Sequence, residues 1–482
     1  MSDSAKLSRR SFVLAGGAAA ALCVVDPTAL AANAKAAGTL DPVDLMGPLG
    51  PVPDARDGVP RLVLPKGFGY RSFGIAGTTL DDGNICPSQH DGSGVFSLGD
   101  GHLRMIRNHE VDDASIDAKP LAGGHNAYDK RAGGGTTTVD MRVHRDGTVD
   151  VIREFVSLNG THTNCSGGRT PWGSWLSCEE TIEDDRPFVV NEENDEFQNG
   201  FERRHGYVFE VPATANGPVD PVPLVAMGRF IHEAVAIDPY SGACYMTEDA
   251  DQAGFYRFEP DRPGHLAEGG VLQALRVRKS PGIDLRGGVA PGSRFEVDWV
   301  TIEDPDPPAG ETYEDAAYGV YRQGAAQGAA TFTGLEGCTW QGRGRTRGSA
   351  VFVSTAGGAA KCGQVWAYHP DNRGHGKAET GVLELLYESP GIDVLSYPDA
   401  LTASNRGSLV IAEDGPGTVL LRGITPRGEI FPIAHAVDMV NDVTGPTFSP
   451  DGKVLFFNLM GEDPPYEPGM SFAVWGPWPK YT

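Results

Sequence analysis

The chain of 482 residues contains no CxxC pair, and past residue 40 it has no unbroken apolar run of membrane-spanning length. The first absence removes a zinc ribbon, and the second removes a transmembrane helix from the body of the protein. The 7 cysteines are an odd number without the dense spacing of a disulfide framework. Cys23 falls in the N-terminal segment, which leaves Cys86, Cys165, Cys178, Cys244, Cys338 and Cys362. Basic residues are also in short supply, 40 Lys and Arg against 64 Asp and Glu, for a net charge of −24. That balance repels nucleic-acid phosphates and argues against a nucleic-acid scaffold role. The acidic excess leaves two uses open: plain solubility, or the binding of cations.

Glycine and proline are plentiful at 64 and 36 residues, while charged residues make up 22%. Such a composition suits a turn-rich β protein better than a helical one. The length predicts two domains unless the chain is a propeller or barrel, which run long as one unit. At the N-terminus, "SRRSFV" (8–13) precedes the apolar run "LAGGAAAALCVV", and "ALAANA" offers an A-x-A cleavage site after Ala31. Paired arginines before a moderate, alanine-rich run read as a twin-arginine signal over residues 1–31. A plain secretory signal or a membrane anchor is the alternative. On the first reading the twin-arginine export machinery delivers the folded protein to the periplasm or the medium, and the mature chain has no membrane span.

One pattern recurs along the rest of the chain: a polar residue, a turn, an apolar strand, then an acidic or polar end. It appears in "NCSGGRTPWGSWLSCEE" from Cys165 to Glu179, and in "HEAVAIDPYSGACYMTED" from Glu233 to Glu248 and Asp249. It returns in "LEGCTWQGRGRTRGSAVFVSTAGG" from Glu336 to Thr355, and in "PDALTASNRGSLVIAEDG" from Asp399 to Glu413 and Asp414. "TGPTFSPDGKVLFFNLM" spans Thr444 to Asn458, and "HDGSGVFSLGDGHLRMIRNHE" spans Asp91 to Glu110. Ends 14 to 19 residues apart leave room for two short strands and a tight hairpin. Alternation such as V-F-V and Y-R-F supports strands. Six such units predict an all-β, six-bladed β-propeller with loop insertions. A sandwich would not explain why each hairpin starts and ends on a polar residue.

In a propeller the innermost strand of each blade lines the central channel, and a hairpin returns its chain to the face it left. The unit ends therefore gather at one mouth: Asp91, Glu110, Cys165, Glu179, Glu233, Glu248, Glu336, Asp399 and Glu413. Two carboxylates 4 Å apart repel by about 4 kcal/mol at an effective dielectric near 20. A ring of them needs protons or bound cations. Carboxylate oxygens suit calcium, magnesium, manganese or ferric iron, and one thiolate shifts the mixture toward a transition metal. His90, His109 and His232 stand beside these positions rather than on them, which argues against a histidine-based zinc site. Singly, a strand-end glutamate is a solvated charge and Cys165 a small packing residue. Only the recurrence over six units points to a site.

"NCSGGRTPWGSWLSCEE", "RNHE" (107–110), "GRFIHEAVAIDPYSGACYMTED" and "IAEDG" together resemble the PhoX-type alkaline phosphatases, over roughly residues 80–460. The resemblance implies a six-bladed propeller with two ferric and three calcium ions that hydrolyses phosphate esters outside the cytoplasm. It implies Cys165 as the thiolate iron ligand, with glutamate ligands at Glu179, Glu248, Glu336 and Glu413. Glu233 would be a further ligand and Asp399 a calcium ligand.

Such a cluster neutralises phosphoryl oxygens and acidifies water, so no Ser or Thr nucleophile is required. Arg169 and Arg229 are placed to grip phosphate oxygens, and Asn108 to orient them, although a blade-edge arginine reads as well. The substrate would be a small phosphate ester and the protein a monomer. Two other readings stand beside this one: a calcium-dependent lactonase-type hydrolase, and a non-catalytic calcium-binding propeller. Residues 32–80 are expected to wrap over the propeller of residues 81–482. Residues 192–204 read as a solvated excursion, and 305–330 as an insertion with room for one short helix that caps the mouth. The tail "DPPYEPGMSFAVWGPW" is expected to close the ring against the first blade.

Overall fold

A computed structural model of the chain describes residues 45–112, 119–185, 200–310, 312–343, 347–371, 379–437, 442–461 and 468–479. The predicted export signal, residues 1–31, and most of the excursion at 192–204 lie outside these residues. Among the described residues no helix is long and apolar enough to cross a membrane.

Three strands come first: β1 (Leu49–Pro53), β2 (Pro60–Pro65) and β3 (Gly69–Phe73). The first blade is β4 (His90–Gly99), β5 (His102–His109), β6 (Gly134–Val143) and β7 (Val149–Thr161). The second has three strands, β8 (Asn164–Arg169), β9 (Ser174–Glu179) and β10 (Val208–Pro212). The third is β11 (His232–Ile237), β12 (Cys244–Glu248), β13 (Phe255–Pro260) and β14 (Gly270–Val277). Strand β15 (Arg294–Thr301) and two short helices, α1 (Tyr313–Ala317) and α2 (Gly319–Ala326), precede the fourth blade. That blade is β16 (Leu335–Arg343), β17 (Arg347–Ser354), β18 (Gln364–Pro370) and β19 (Gly381–Glu388). The fifth is β20 (Pro398–Ala403), β21 (Leu409–Glu413), β22 (Leu420–Ile424) and β23 (Ile430–Ala436). The sixth is β24 (Val443–Phe448), β25 (Val454–Leu459) and β26 (Met470–Trp475).

The six-bladed propeller is thus the observed architecture. Each blade runs antiparallel, and the six innermost strands touch in a closed circle, β4 to β8, β11, β16, β20, β24 and back to β4. Strand β3 pairs with β26 and supplies the outer strand of the sixth blade. The tail strand β26 thus pairs with the N-terminal β3 rather than with a strand of the first blade, while β24 packs on β4. Of residues 45–80, β1 and β2 extend the fifth blade through β23. Strand β15 pairs with both β14 and β19, which joins the third and fourth blades into one nine-stranded sheet.

Burial on two faces explains the apolar strand sequences. In β17, Ala350 and Phe352 pack with Tyr245 and Phe255 of the third blade. Val351 and Val353, which point the other way, pack with Leu401 and Ile411 of the fifth. A strand covered on both faces is apolar at every position rather than at alternate ones. The innermost strands approach so closely that a Cβ on Gly92 would lie 2.5 Å from the Ser166 Cα, and one on Gly337 2.6 Å from the Leu401 N.

Candidate metal centre

The first hairpin of every blade carries the same irregularity. In the second blade Asn164 pairs with Glu179, and the next pair is Gly167 with Ser177, so the inner strand holds one extra residue. The same bulge separates His90 from Ser93, His232 from Val235, Leu335 from Cys338, Pro398 from Leu401 and Thr444 from Thr447. Bulges re-aim side chains at strand ends. The residue just inside each bulge is Asp91, Cys165, Glu233, Glu336, Asp399 or Gly445. Five of these six are ligand types, and all five are residues the sequence pattern singles out.

A second repeated bond closes each hairpin at the mouth. The N–H following the outgoing strand donates to the carbonyl preceding the incoming one: Glu110 to Gln89, Glu180 to Thr163, Asp249 to Ile231, Thr355 to Gly334, Asp414 to Tyr397 and Met460 to Asp442, at 2.8–3.1 Å. Gln89, Thr163, Gly334 and Tyr397 take up left-handed φ values of 51°, 47°, 45° and 48° at that position. Non-glycine residues adopt this conformation rarely, and where they do it concentrates at functional sites.

Two groups converge there. Cys165, Glu180 and Glu233 bring ligand atoms within 4.8 Å of one another, as do Glu233, Glu336 and Asp399. Glu233 belongs to both, so four blades meet at one place. Cys165 is fully buried, with its Sγ 3.2 Å from the His232 carbonyl oxygen. Burial, then the nearby Glu233 and Glu180 carboxylates, push the Cys165 thiol far up, and Glu110 adds to the effect. Carboxylates this close repel by about 3–4 kcal/mol per pair at an effective dielectric near 20. A cation reverses both effects, since a coordinating thiol is deprotonated outright. The donor set of one sulfur and several hard oxygens fits a mixed cluster of transition-metal and calcium-type ions.

Glu180, not Glu179, stands beside Cys165. Glu179 ends β9 as the partner of Asn164, and its side chain turns into the protein. One oxygen accepts from the His162 N–H and His205 Nδ1, and the other from the N–H groups of Gly206 and Tyr207. Burial alone would depress the His205 imidazole, but Glu179 and Asp129 overcome it and push its pKa up to about 9. Glu413 occupies the same place in the fifth blade, accepting from Ser396 N–H, Leu420 N–H and the Arg422 guanidinium. Glu248 does so in the third, accepting from Gly254 N–H and the Tyr256 hydroxyl, and burial pushes it up to about 8. The three expected ligands Glu179, Glu248 and Glu413 therefore tie down loops under the mouth. Their successors Glu180, Asp249 and Asp414 occupy the mouth position. Successive strand residues face opposite ways, so an offset of one residue exchanges the two roles. The acidic pairs EE, ED and ED were the visible signal of both.

All three residues expected to hold phosphate donate to main-chain carbonyls of the protein. Asn108 is buried; its amide donates to the carbonyls of Cys165 and Ser166 and accepts from Trp175 Nε1 and the Ser177 hydroxyl. Its full hydrogen-bonding capacity is thereby used. Arg169 lies at the far end of β8, opposite Trp175, and donates to the Val95 carbonyl. Arg229 is buried and donates to the carbonyls of His205, Ile182 and Glu183. Asp91 and Glu110 sit at the mouth end of the first blade, both buried.

Among its described residues the insertion holds two short helices rather than one. Ala316 and Ala317 of α1 pack on Ile182 and Ile231, two residues from Glu180 and Glu233 respectively. Asp306 binds Arg204 and the Tyr207 hydroxyl, both at 3.0 Å. The insertion thus stands beside the mouth over the second and third blades.

Residues 46–462 match the family model described as alkaline phosphatase PhoX. A search of curated proteins finds no significant sequence match. Among solved structures, Pseudomonas fluorescens PhoX in complex with vanadate, a transition state analogue, is 17% identical, covers 91% of this chain and 98% of its own, and superposes with a TM-score of 0.65. A glucose dehydrogenase, 13% identical over 71% of this chain and 80% of its own, reaches a TM-score of only 0.32.

Proposed function

Because the chain belongs to the PhoX alkaline phosphatase family, and so to a family of phosphatases, we propose that it hydrolyses phosphate esters at a multi-metal centre held by Cys165, Glu180, Glu233, Glu336 and Asp399. Asp249, Asp414, Asp91 and Glu110 complete the ring by their equivalent places in the other hairpins. The family likeness implies two ferric and three calcium ions. When bound, these ions would neutralise phosphoryl oxygens and acidify water. The chain's own contribution is placement: Glu233 serves two groups, Asn108 fixes the backbone around Cys165, and Arg229 holds the loop that follows Glu180. The observation that carries this reading is the convergence of Cys165, Glu180 and Glu233 within 4.8 Å at a bulge repeated in every blade. A calcium-only hydrolase or a structural calcium site has no use for that thiol.

Export by the twin-arginine route fits the cysteines. All six cysteines among the described residues are buried and free. Such thiols are protected when the chain folds in a reducing compartment before it crosses the membrane. The working location is then the periplasm or the medium, and the substrate a small phosphate ester.

Elemental analysis of protein matured through its own export route, paired with p-nitrophenyl phosphate hydrolysis, tests the proposal. Iron together with calcium and turnover are expected. Calcium alone, or no metal and no turnover, would overturn it.

A further inference from the structure

Beneath the Cys165 group lies a buried node that family membership does not assign. His205 is fully buried just before β10. Its Nδ1 donates to Glu179 at 2.7 Å, and its Nε2 is 3.6 Å from Asp129 Oδ2. Asp129 is itself held by the N–H groups of Arg131, Glu202 and Arg203. The His205 backbone completes the node, its N–H donating to the Glu183 carbonyl and its own carbonyl accepting from Arg229. The rings of Tyr128, Phe201 and His162 enclose the imidazole. The first blade's long loop and the end of β9 therefore meet at this side chain, and the approach to β11 joins at the His205 main chain.

We propose that His205 is a positioning residue: clamped between Glu179 and Asp129, it fixes the end of β9 and so aims the adjacent Glu180 at Cys165. The proposal rests on the reading of the Cys165 group as a metal centre. Its physical basis is the opposed direction of neighbouring strand residues. With every oxygen site on Glu179 occupied, its carboxylate anchors the end of β9 to the loop below and restrains the peptide that carries Glu180. Removing the imidazole takes away the one side-chain donor and leaves the carboxylate three backbone N–H groups. Supporting partners one step behind a ligand change metal affinity or activity by about 10–100-fold.

The test compares the wild type with His205→Ala and His205→Asn. The asparagine variant keeps a side-chain N–H near the Nδ1 position, and the alanine variant does not. Metal content after dialysis, kcat and KM with p-nitrophenyl phosphate, and a crystal structure are the readouts. We expect His205→Ala to lose metal and about 10–100-fold in kcat with KM little changed, and His205→Asn to recover most of both. A folded His205→Ala protein with full metal and wild-type kcat, altered only in unfolding temperature, overturns the proposal. Should that variant not fold, His205→Phe keeps an aromatic ring in the space without a donor and takes its place. If the wild type itself binds no metal and hydrolyses no phosphate ester, the metal-centre reading fails. The crystal structures still decide the positioning role: a Glu180 oxygen that stays within 4.8 Å of the Cys165 Sγ in the variant overturns it, and one that swings away supports it.

Discussion

Glu179 and Glu180 are neighbours in the chain, yet they serve opposite sides of the end of β9. Glu179 is sealed under the mouth by three backbone N–H groups and the His205 imidazole. Glu180 joins Cys165 and Glu233 in a cluster of ligand atoms. The pair therefore separates stability from chemistry within two residues. Glu180→Gln is expected to keep the wild-type unfolding midpoint without metal and to lose metal and more than about 100-fold in kcat/KM, exceeding the effect of a supporting group. Glu179→Gln is expected to cost about 3–5 kcal/mol in denaturant unfolding, the usual loss when one member of a buried ion pair is removed.

Cys165→Ala should fold, because the thiol packs as a small apolar group among main-chain carbonyls. It should emerge without iron and with little activity toward p-nitrophenyl phosphate. An iron-containing, active Cys165→Ala enzyme would refute the role given to the sulfur.

Asn108→Ala is expected to lower stability by about 2–4 kcal/mol, since it strands the Trp175 Nε1–H and two strand carbonyls. Thermal unfolding reads this directly. A group that bound phosphate would instead lower kcat/KM while leaving the midpoint where it was.

The His205 imidazole gives stability a pH signature. Its folded pKa, about 9, lies above the ordinary 6.5. Protonated His205 thus stabilises the fold fully below about pH 6.5, and the contribution fades as pH rises through about 9, by roughly 3 kcal/mol in all. Unfolding measured from pH 6 to 10 should show a steeper alkaline decline in the wild type than in His205→Phe. Parallel profiles would contradict this.

Cation removal should also be visible without any assay of activity. Carboxylates gathered at one mouth repel once stripped of counter-charge. Ligands that bind only the native state stabilise by about 2.7 kcal/mol at a hundredfold excess over Kd. The unfolding temperature in chelator should fall well below that in millimolar calcium, and readdition should restore it.

Much of this was legible in the chain alone. Strands such as AVFV in β17 declare burial on two faces, and the spacing of polar residues around hairpins counts the blades. The incoming mouth residues Asp91, Cys165, Glu233, Glu336 and Asp399 follow from that spacing, because each follows the first paired residue of its hairpin. The outgoing ones were harder. In EE (179–180) and the two ED pairs both residues are acidic, and composition does not say which faces the mouth.

That choice belonged to the tertiary structure. A bulge of one residue sets the phase of each hairpin, and the loop N–H groups waiting below capture whichever carboxylate faces them. Asn108, Arg169 and Arg229 show the same limit, since residue type suggests phosphate and only the structure shows the main-chain carbonyls they bond. Sequence alone determined the six-fold β architecture and the acidic, single-thiol character of its mouth, because these depend on periodicity and residue type. Which oxygens point at Cys165, and that β3 rather than a later strand completes the sixth blade, were decided only when distant segments came into contact.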